Sequence, residues 1–280
     1  MIRGWVRLWP VLLFLGCRTL DLGAPLEPAD PRPKAWLSAL ASRGLEPQAI
    51  RARARLDLDA PDLSFDRPQR MAVERPARLR VEILGLFAQL AAVVVTDGHR
   101  YQVYDARDGD LQEGPVDSSL LWRFARIDLD PPRAVELLLG SVRLSPELTT
   151  GTSWGFKNGE VSVERFDAKG VVREDYRFDP KGRLIEASHF GPDGAALWRA
   201  VFEDYRVLDR PNGMKIDFPY EIELNFPRVS ARARLRYSAV QVEDQLPDAL
   251  FKLDLPKKTS SFQTERIPED WSRSDLGAKR

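Results

Sequence analysis

Apolar and polar residues alternate over long stretches of this chain, and such alternation predicts half-buried β-strands. Residues 50–59 alternate strictly, with two Leu, two Ala and one Ile on one face against three Arg and two Asp on the other. Residues 229–238 repeat the pattern, again with three Arg on the polar face. Because like charges directly opposite one another destabilise a strand pair, we expect the two Arg rows not to face each other.

The apolar faces of these two strands contain Ala where a tightly filled core favours Leu or Ile. One interpretation is an inner face that is kept shallow and leaves room for a ligand. The other is a helix that packs closely against the sheet. Under the first interpretation, three residues of each strand and one residue of a later helix are candidates for lining the groove. They are Ala52, Ala54 and Leu56, then Ala231, Ala233 and Leu235, and Leu138 of the helix.

Residues 78–104 predict three further strands that are joined by two turns. The first of these turns is unusual, because residues 84–88 contain no polar side chain, whereas turns normally favour Gly, Asn or Asp. An apolar turn either folds back onto the core or reaches an apolar partner outside the molecule. This choice concerns the three large side chains of the turn, which are Leu84, Leu86 and Phe87.

Helical spacing is found in three short segments. Residues 34–43 predict an amphipathic helix that Gly44 ends, and residues 118–127 predict a second helix. The third helix begins after Asp130, whose side chain can cap it, and ends at Gly140. We expect these helices to supply one layer against the strands.

An aromatic residue followed by a Gly turn recurs every twelve residues, at Phe166, Phe178 and Phe190. Each copy ends a short strand, which predicts a β-meander of antiparallel neighbours. Three copies are too few for a solenoid or a propeller.

Further strands are expected at residues 64–74, where Pro68 marks a bend or an edge, at residues 216–226 and 228–242, and at residues 251–255. The total is about ten or eleven antiparallel strands, and a sheet of that size curls on itself. We therefore predict a mainly β fold, an open (unclosed) antiparallel β-barrel with helices that cover its concave face.

The N-terminus has the features of a secretory signal. Arg3 and Arg7 precede an apolar run that is too short to cross a bilayer as a helix. This run ends at Cys17, the only Cys of the chain, and the Gly before it resembles the end of a bacterial lipobox. We therefore expect a diacylglycerol and an N-acyl chain on Cys17, since stable anchoring needs more than one acyl chain.

The predicted organisation has four parts. Residues 1–16 are a lipoprotein signal peptide, and residues 17–33 are the lipidated Cys with a Pro-rich tether. Residues 34–256 are one β-barrel domain, and residues 257–280 are a polar tail that we expect to be disordered.

Composition argues against several classes of function. The chain has 42 Lys and Arg against 42 Asp and Glu, so charge does not favour a nucleic acid as partner. One Cys and two His argue against a zinc or iron site. No Gly-x-Ser-x-Gly motif accompanies His99 or His189, so we expect no catalytic residue and no cofactor besides the acyl chains.

Several segments resemble, in their order and spacing, the lipoprotein-localisation superfamily of Gram-negative bacteria, whose members are LolA-like and LolB-like. The segments are residues 75–80, the turn at residues 96–98, the sequence AVELLLG at residues 134–140, the pair at residues 218–219 and residues 251–256. The resemblance implies an unclosed β-barrel whose helix-covered concave face binds acyl chains.

The superfamily contains a soluble periplasmic carrier and a lipid-anchored outer-membrane receptor, and Cys17 associates this chain with the anchored type. The receptor has a protruding loop with an exposed Leu that helps to insert lipoproteins into the membrane. The resemblance gives this role to Leu84, Leu86 and Phe87. Arg18 stands where an inner-membrane retention signal has Asp, so we expect an outer-membrane location on the periplasmic face.

The resemblance thus implies an outer-membrane lipoprotein that binds the acyl chains of lipoproteins or lipids in an apolar groove and helps to insert them into the membrane. Its expected partners are the membrane, those acyl chains and a periplasmic carrier protein, and we expect a monomer. The alternative is an anchored periplasmic subunit for binding, assembly or sensing that holds a protein partner.

Overall fold

The computed structural model describes residues 23–43 and 46–254. Its strands are β1 Ala24–Pro25, β2 Ala49–Ala60, β3 Leu63–Glu74, β4 Arg78–Leu84, β5 Leu90–Thr96, β6 Arg100–Asp105, β7 Asp110–Pro115, β8 Thr149–Gly155, β9 Val161–Phe166, β10 Val172–Phe178, β11 Leu184–Phe190, β12 Ala196–Asp209, β13 Lys215–Phe226 and β14 Ala231–Glu243. Its helices are α1 Pro31–Arg43, α2 Leu120–Ala125 and α3 Pro131–Leu138, and 3₁₀ turns cover Pro227–Val229 and Asp248–Phe251.

All fourteen strands of the described part belong to one antiparallel sheet. Strands β8 to β14 follow one another, β14 pairs with β2, and β2 to β7 continue to the far edge. The first strand of this order, β1, does not pair with the last, β7, so the sheet curls without closing. The predicted fold class, an open antiparallel β-barrel with helices against it, is confirmed.

The described residues contain more strands than the ten or eleven predicted. The sequence reasoning placed β1 in the Pro-rich tether and β7 in a turn-rich loop. Both are edge strands with a single hydrogen-bonded neighbour, and such strands tolerate Pro and Gly because half of their backbone groups need no partner strand.

The antiparallel order gives the sheet two distinct ends. The tip end carries the β2–β3 turn at residues 61–62 and the β4–β5 turn at residues 85–89. The base end carries the β3–β4 turn at residues 75–77 and the β12–β13 turn at residues 210–214.

One large core lies between the concave face and the helices. It joins side chains of α1 and α3 to the inward residues of strands on both halves of the sheet. Asp130 caps α3 as predicted, because its carboxylate accepts a hydrogen bond from the Arg133 N–H at 2.7 Å, and the chain turns at Gly140 with a φ of +70°.

The meander is confirmed, and its turn is used more widely than the three predicted copies. The turns after Phe166, Phe178 and Phe190 are each closed by a pair of backbone hydrogen bonds, and the same pattern closes the turns at residues 156–160 and 210–214. In all five, the fourth turn residue is a Gly with positive φ, a conformation that costs Gly least.

Pro68 lies inside β3 rather than at a bend. It is paired with Arg55 of β2, whereas β4 pairs only with residues 69–74 of β3. At Pro68, β3 therefore has β2 as its single neighbouring strand. The N–H that proline lacks is not needed for a hydrogen bond to another strand there.

The two Arg rows avoid each other at two positions and meet at one. Two Arg of β14 lie opposite Asp59 and Asp57 of β2, as expected. Arg236 of β14 lies directly opposite Arg55 of β2, and Arg53 of β2 lies opposite Arg70 of β3. Arg55 is neutralised by Asp66 at 2.6 Å, and all four side chains are exposed on the convex face. Exposure to water and the carboxylate partner reduce the repulsion that the prediction relied on.

The chain after β14 does not form the closing strand that was predicted from Phe251 and Leu253; Leu255 lies outside the described residues. Phe251 ends a 3₁₀ turn and is buried on the convex face against Ala49 and Ala72. Small residues on that face make room for the ring, so this segment packs against the sheet instead of extending it.

The tether prediction is corrected for its described part, residues 23–33. Residues 24–25 pair with β8 as β1, and Pro31 and Pro33 lie in the first turn of α1. Proline is accepted there because the first N–H groups of a helix have no intrahelical partner. No helix within the described ranges is both long and apolar enough to cross a membrane.

Candidate functional site

The apolar turn between β4 and β5 projects two large side chains into solvent. Leu86 is 84% exposed and Phe87 is 90% exposed, and these two residues are called the apolar tip below. They stand at the tip end of the sheet. Isolated exposed apolar residues are common, but two adjacent ones at a hairpin end are typical of a contact surface.

The backbone of this turn is held by its own polar groups. The Gln89 side-chain oxygen accepts a hydrogen bond from the Phe87 N–H at 2.8 Å, and the Gln89 carbonyl accepts one from the Gly85 N–H at 2.8 Å. Ala88 adopts a positive φ of 59°. Because the turn satisfies its own hydrogen bonds, Leu86 and Phe87 remain exposed without fraying the strands.

Leu84 does not share this exposure. It is 8% exposed and is the last residue of β4, opposite Leu90 of β5. Ile83 pairs with Ala92 and Leu84 pairs with Leu90, so a bulge leaves Ala91 of β5 as the extra residue, and Leu84 is still held within the strand pair. The exposed part of the predicted loop is thus Leu86 and Phe87.

Trp122 is a second exposed aromatic residue at the tip end, which the sequence reasoning did not select. It lies on α2 and is 39% exposed. Arg126 at the end of this helix lies over the Trp122 ring at 5.8 Å and binds Asp62 of the β2–β3 turn at 2.7 Å. The sequence could have indicated Trp122, because it lies outside the apolar face of the predicted helix, which contains Leu120 and Phe124.

The seven groove-lining candidates all lie in the core or against it. The four Ala and Leu235 are buried, and Leu56 and Leu138 are partly buried against the same cluster. Leu56 lies directly opposite Leu235, and Leu58 lies opposite Ala233. The structure thus brings the strand candidates together on one face, but that face is covered rather than open.

The cover includes α3. The Tyr237 hydroxyl of β14 donates a hydrogen bond to the carbonyl of Leu138, the last residue of α3, at 2.7 Å. Tyr237 is buried with its ring edge-on to Phe218 at 5.4 Å, and burial raises its pKa above the ordinary value. Of the two interpretations of the Ala-rich faces, close helix packing is the one that these contacts favour.

A separate cavity of about 250 Å³ opens at the base end. It lies between α1, the residues that follow α3 and the β12–β13 turn, and none of the seven candidates lines it. The sequence reasoning missed it, because its walls come from elements that are far apart along the chain.

The two His residues are not brought together. His99 lies in the β5–β6 connection, where its N–H donates to Asp97 at 2.8 Å. His189 stacks on Trp198 with ring centroids 5.6 Å apart, and burial together with the nearby Arg133 lowers its pKa. Its Nδ1 is 3.9 Å from Glu174.

The polar cluster around Glu174 joins the loop after α3 to the meander. Arg165 donates to Glu174 at 2.6 Å and to the carbonyls of Ser145 and Leu148 at 2.8 Å, and Ser145 also donates to Glu174. Such a buried and mutually bonded cluster positions a loop. Among residues 23–43 and 46–254, no group of three or more His, Cys, Asp or Glu is arranged to hold a metal ion.

The predicted lipid attachment site, Cys17, lies outside the described residues, as do Arg18 and the polar tail at residues 257–280. The signal peptide and the anchor therefore stay predictions.

The molecule is thus a curled sheet with helices against its inner face and an apolar tip at one end. No family model matches this sequence, and no curated protein matches it. Solved structures do match. One is a LolA superfamily protein from Nitrosomonas europaea, 14% identical, with a TM-score of 0.51 over 79% of this chain and 98% of that one.

A second similar structure is a candidate outer membrane lipoprotein-sorting protein domain from Vibrio parahaemolyticus. It is 12% identical, with a TM-score of 0.50 over 78% of this chain and 94% of that one. The chain therefore has a LolA-like fold, as the resemblance of its sequence segments implied. At these identities the likeness concerns the fold, and the function has to be argued from the site.

Proposed function

We propose that this protein is a lipid-handling lipoprotein of the Gram-negative cell envelope. It is anchored through Cys17 to the periplasmic face of the outer membrane, binds acyl chains of lipoproteins or lipids, and helps to insert them into the membrane. The observation that carries the proposal is the apolar tip, Leu86 and Phe87, on a LolA-like fold.

The role of the tip follows from the free energy of burial. An apolar side chain that moves from water into a bilayer gains about 1.5–3 kcal/mol. Leu86 and Phe87 are already exposed, so their insertion breaks no packing within the protein. The tip thus holds the protein against the bilayer surface while a client is delivered.

Acyl chains would bind between the helices and the Ala-rich inner face. Because that face is covered by the core, binding requires α3 to move away from the sheet, where it contacts β3, β4 and Tyr237 of β14. This movement of α3 breaks polar contacts such as the hydrogen bond from Tyr237 to Leu138. The acyl chain then replaces the apolar contacts that α3 made with the inner face. Delivery is favourable when the bilayer buries more methylene groups than the groove does, at about 0.8 kcal/mol each.

The test of the tip is a substitution of Leu86→Glu or Phe87→Glu, followed by measurement of binding to phospholipid vesicles and of acyl transfer into them. We expect each substitution to weaken vesicle binding about tenfold or more. The melting midpoint is expected to stay unchanged, because most of each replaced side chain is in solvent. A lower melting midpoint, or unchanged vesicle binding, contradicts the proposal.

The matched control is Val207→Glu. Val207 is also an exposed apolar residue, at 60%, but it lies on β12 away from the tip, so its replacement is expected to leave vesicle binding unchanged. Mass spectrometry of the purified protein tests the anchor and the client together. Acyl chains on Cys17 and co-purified acyl lipid support the proposal, whereas a stoichiometric protein partner without lipid supports the anchored binding subunit.

A further inference from the structure

The base-end cavity has an apolar interior and a charged mouth. Its apolar walls come from α1, from Leu139 after α3, and from the meander and β13, namely Leu40, Phe178, Leu184 and Ile216. Its charged lining residues are Arg183, Arg210 and Lys215 against Glu46 and Asp217. Arg183 is paired outside the lining with Asp179 at 2.6 Å, so a contact to a ligand's head group rests on Arg210.

Arg210 is the polar group of this lining with the most unused hydrogen-bonding capacity. Its side chain is only 12% exposed, and an ion pair joins its Nη1 to Glu46 at 2.7 Å. Its Nε is buried and has no hydrogen-bond partner among residues 23–43 and 46–254. A guanidinium has five N–H donors, and an enclosed donor without a partner costs free energy, so this arrangement favours a further acceptor.

A second guanidinium lies behind the cavity wall. Arg75 is 6% exposed, donates through Nε to the Pro47 carbonyl at 3.2 Å and donates to the hydroxyl of Ser141. Pro47 and Ser141 both line the cavity. In the described part of the chain, Arg75 has no carboxylate within ion-pair distance, and its Nη1 is buried without a partner. Glu136 acts on this guanidinium from beyond ion-pair distance, so Arg75 contributes to the site through its unpaired donor rather than through a free charge.

We propose that this cavity binds a single-chain anionic amphiphile, with its carboxylate or phosphate at Arg210 and its first carbons against the apolar walls. The volume of about 250 Å³ is just below the range of about 300–1,000 Å³ for drug-sized ligands. It fits a short chain and not a diacyl lipid.

This site is distinct from the proposed acyl groove. The cavity lies at the base end, opposite the apolar tip, and shares no residue with the Ala-rich inner face. It is already open in this structure, so binding here does not require α3 to move. The inference therefore stands or falls independently of the proposed function.

Isothermal titration of the purified, detergent-free protein tests the proposal, with ligands below their micellar concentrations. Decanoate and decyl phosphate carry the two anionic head groups, decanol is the neutral analogue, and decyltrimethylammonium is the cationic one. We expect one anion to bind per protein, and the stronger of the two identifies the head group. Decanol and the cation are expected to bind at least about tenfold more weakly.

Two pairs of variants locate the site. Arg210→Gln removes the proposed head-group contact, and Arg199→Gln removes an exposed Arg that is also paired with a Glu but does not line the cavity. Ala39→Phe fills the cavity from α1, and Ala41→Phe places the same ring on the exposed side of that helix. We expect Arg210→Gln and Ala39→Phe to weaken anion binding about tenfold or more. The two control variants, Arg199→Gln and Ala41→Phe, are expected to leave it unchanged.

The outcomes separate clearly once a melting curve shows that each variant is folded. Equal affinity for decanol and decanoate overturns the anionic part of the proposal. Undiminished decanoate and decyl phosphate binding in both Arg210→Gln and Ala39→Phe overturns the location. Loss of vesicle binding in the tip variants with intact decanoate binding confirms that the two sites act separately.

Discussion

Glu223 shows how single residues balance the many arginines on the convex face. Burial alone raises its pKa, but hydrogen bonds from Arg232, Arg234 and Asn225 outweigh burial and lower the pKa to about 2. The Arg232 contact is 2.6 Å and the Asn225 contact is 3.2 Å. The carboxylate is therefore charged in the folded protein well below the pH at which an ordinary Glu becomes neutral.

This pKa predicts how stability depends on pH. A carboxyl with a lowered folded-state pKa contributes stability that is fully present above its unfolded pKa and is lost as the pH falls through the folded one. For Glu223 the window runs from the ordinary value of 4.5 down to about 2. We expect the free energy of unfolding, measured by urea at several pH values, to fall across this window.

The variant Glu223→Gln isolates this contribution from the other carboxyls. It is expected to be less stable than the wild type at pH 6, and the gap between the two proteins is expected to narrow towards pH 2. A gap that is independent of pH contradicts the proposed charge–charge origin.

At the residue scale, the sequence predicted where the apolar turn lies but not which of its side chains are exposed. Leu84 and Leu86 are equally apolar, but Leu84 is paired with Leu90 at the end of β4, whereas Leu86 lies in the unpaired turn. Likewise, the alternation predicted the two Arg rows but not their register, because Arg236 and Arg55 face each other only in the paired sheet.

At the scale of the elements, the local sequence was enough to predict a segment whose backbone hydrogen bonds are formed within that segment. The meander turns and the Asp130 cap close their hydrogen bonds within a few residues, so the sequence predicted them. Strand β7 pairs with its sequence neighbour β6 and was missed because its turn-rich residues do not alternate. The edge strand β1 and the base-end cavity depend on distant neighbours. No short stretch of sequence records those neighbours, and this is why the prediction missed them.

The packing of the helices on the inner face leads to a prediction at Ala233. This residue is 3% exposed and belongs to the main core, on the strand whose Tyr237 binds the end of α3. The substitution Ala233→Leu adds three heavy atoms to a filled space, and such overpacking typically costs about 1–3 kcal/mol. We expect a corresponding loss in the free energy of unfolding, measured by urea denaturation.

Ala168→Leu serves as the comparison, since Ala168 is exposed in a meander turn and its replacement is expected to change stability by less than about 0.5 kcal/mol. Should Ala233→Leu be as stable as the wild type, the inner face has spare volume, and the shallow-groove interpretation of the Ala residues regains support.

At the scale of the whole molecule, the two ends of the sheet carry different chemistry. The apolar tip lies at one end, and the cavity lined by Arg210 lies at the other. Residues 244–254 cross the convex face from β14 towards β6 and bind four strands of the N-terminal half. The contacts include Leu246 N–H to Glu74 at 3.1 Å and Leu253 N–H to Gln102 at 2.8 Å.

Because residues 244–254 bind several strands, we expect Phe251 in this segment to stabilise the entire sheet. Its ring is 2% exposed, packs on Ala49 and Ala72 and lies 4.3 Å below the Arg78 guanidinium. The substitution Phe251→Ala leaves a cavity there and is expected to cost about 3–5 kcal/mol of unfolding free energy. Urea denaturation followed by circular dichroism measures this change.

The same segment offers its own comparison in Leu253, which is only partly buried, so Leu253→Ala should cost much less. Because Phe251 joins the C-terminal end to β2 and β3, the loss in Phe251→Ala should appear in one cooperative transition of the whole sheet. A separate early transition of the segment, with the remaining sheet as stable as the wild type, would mean that the crossing segment is only an appendage. The sheet would then keep its curvature through the concave core alone.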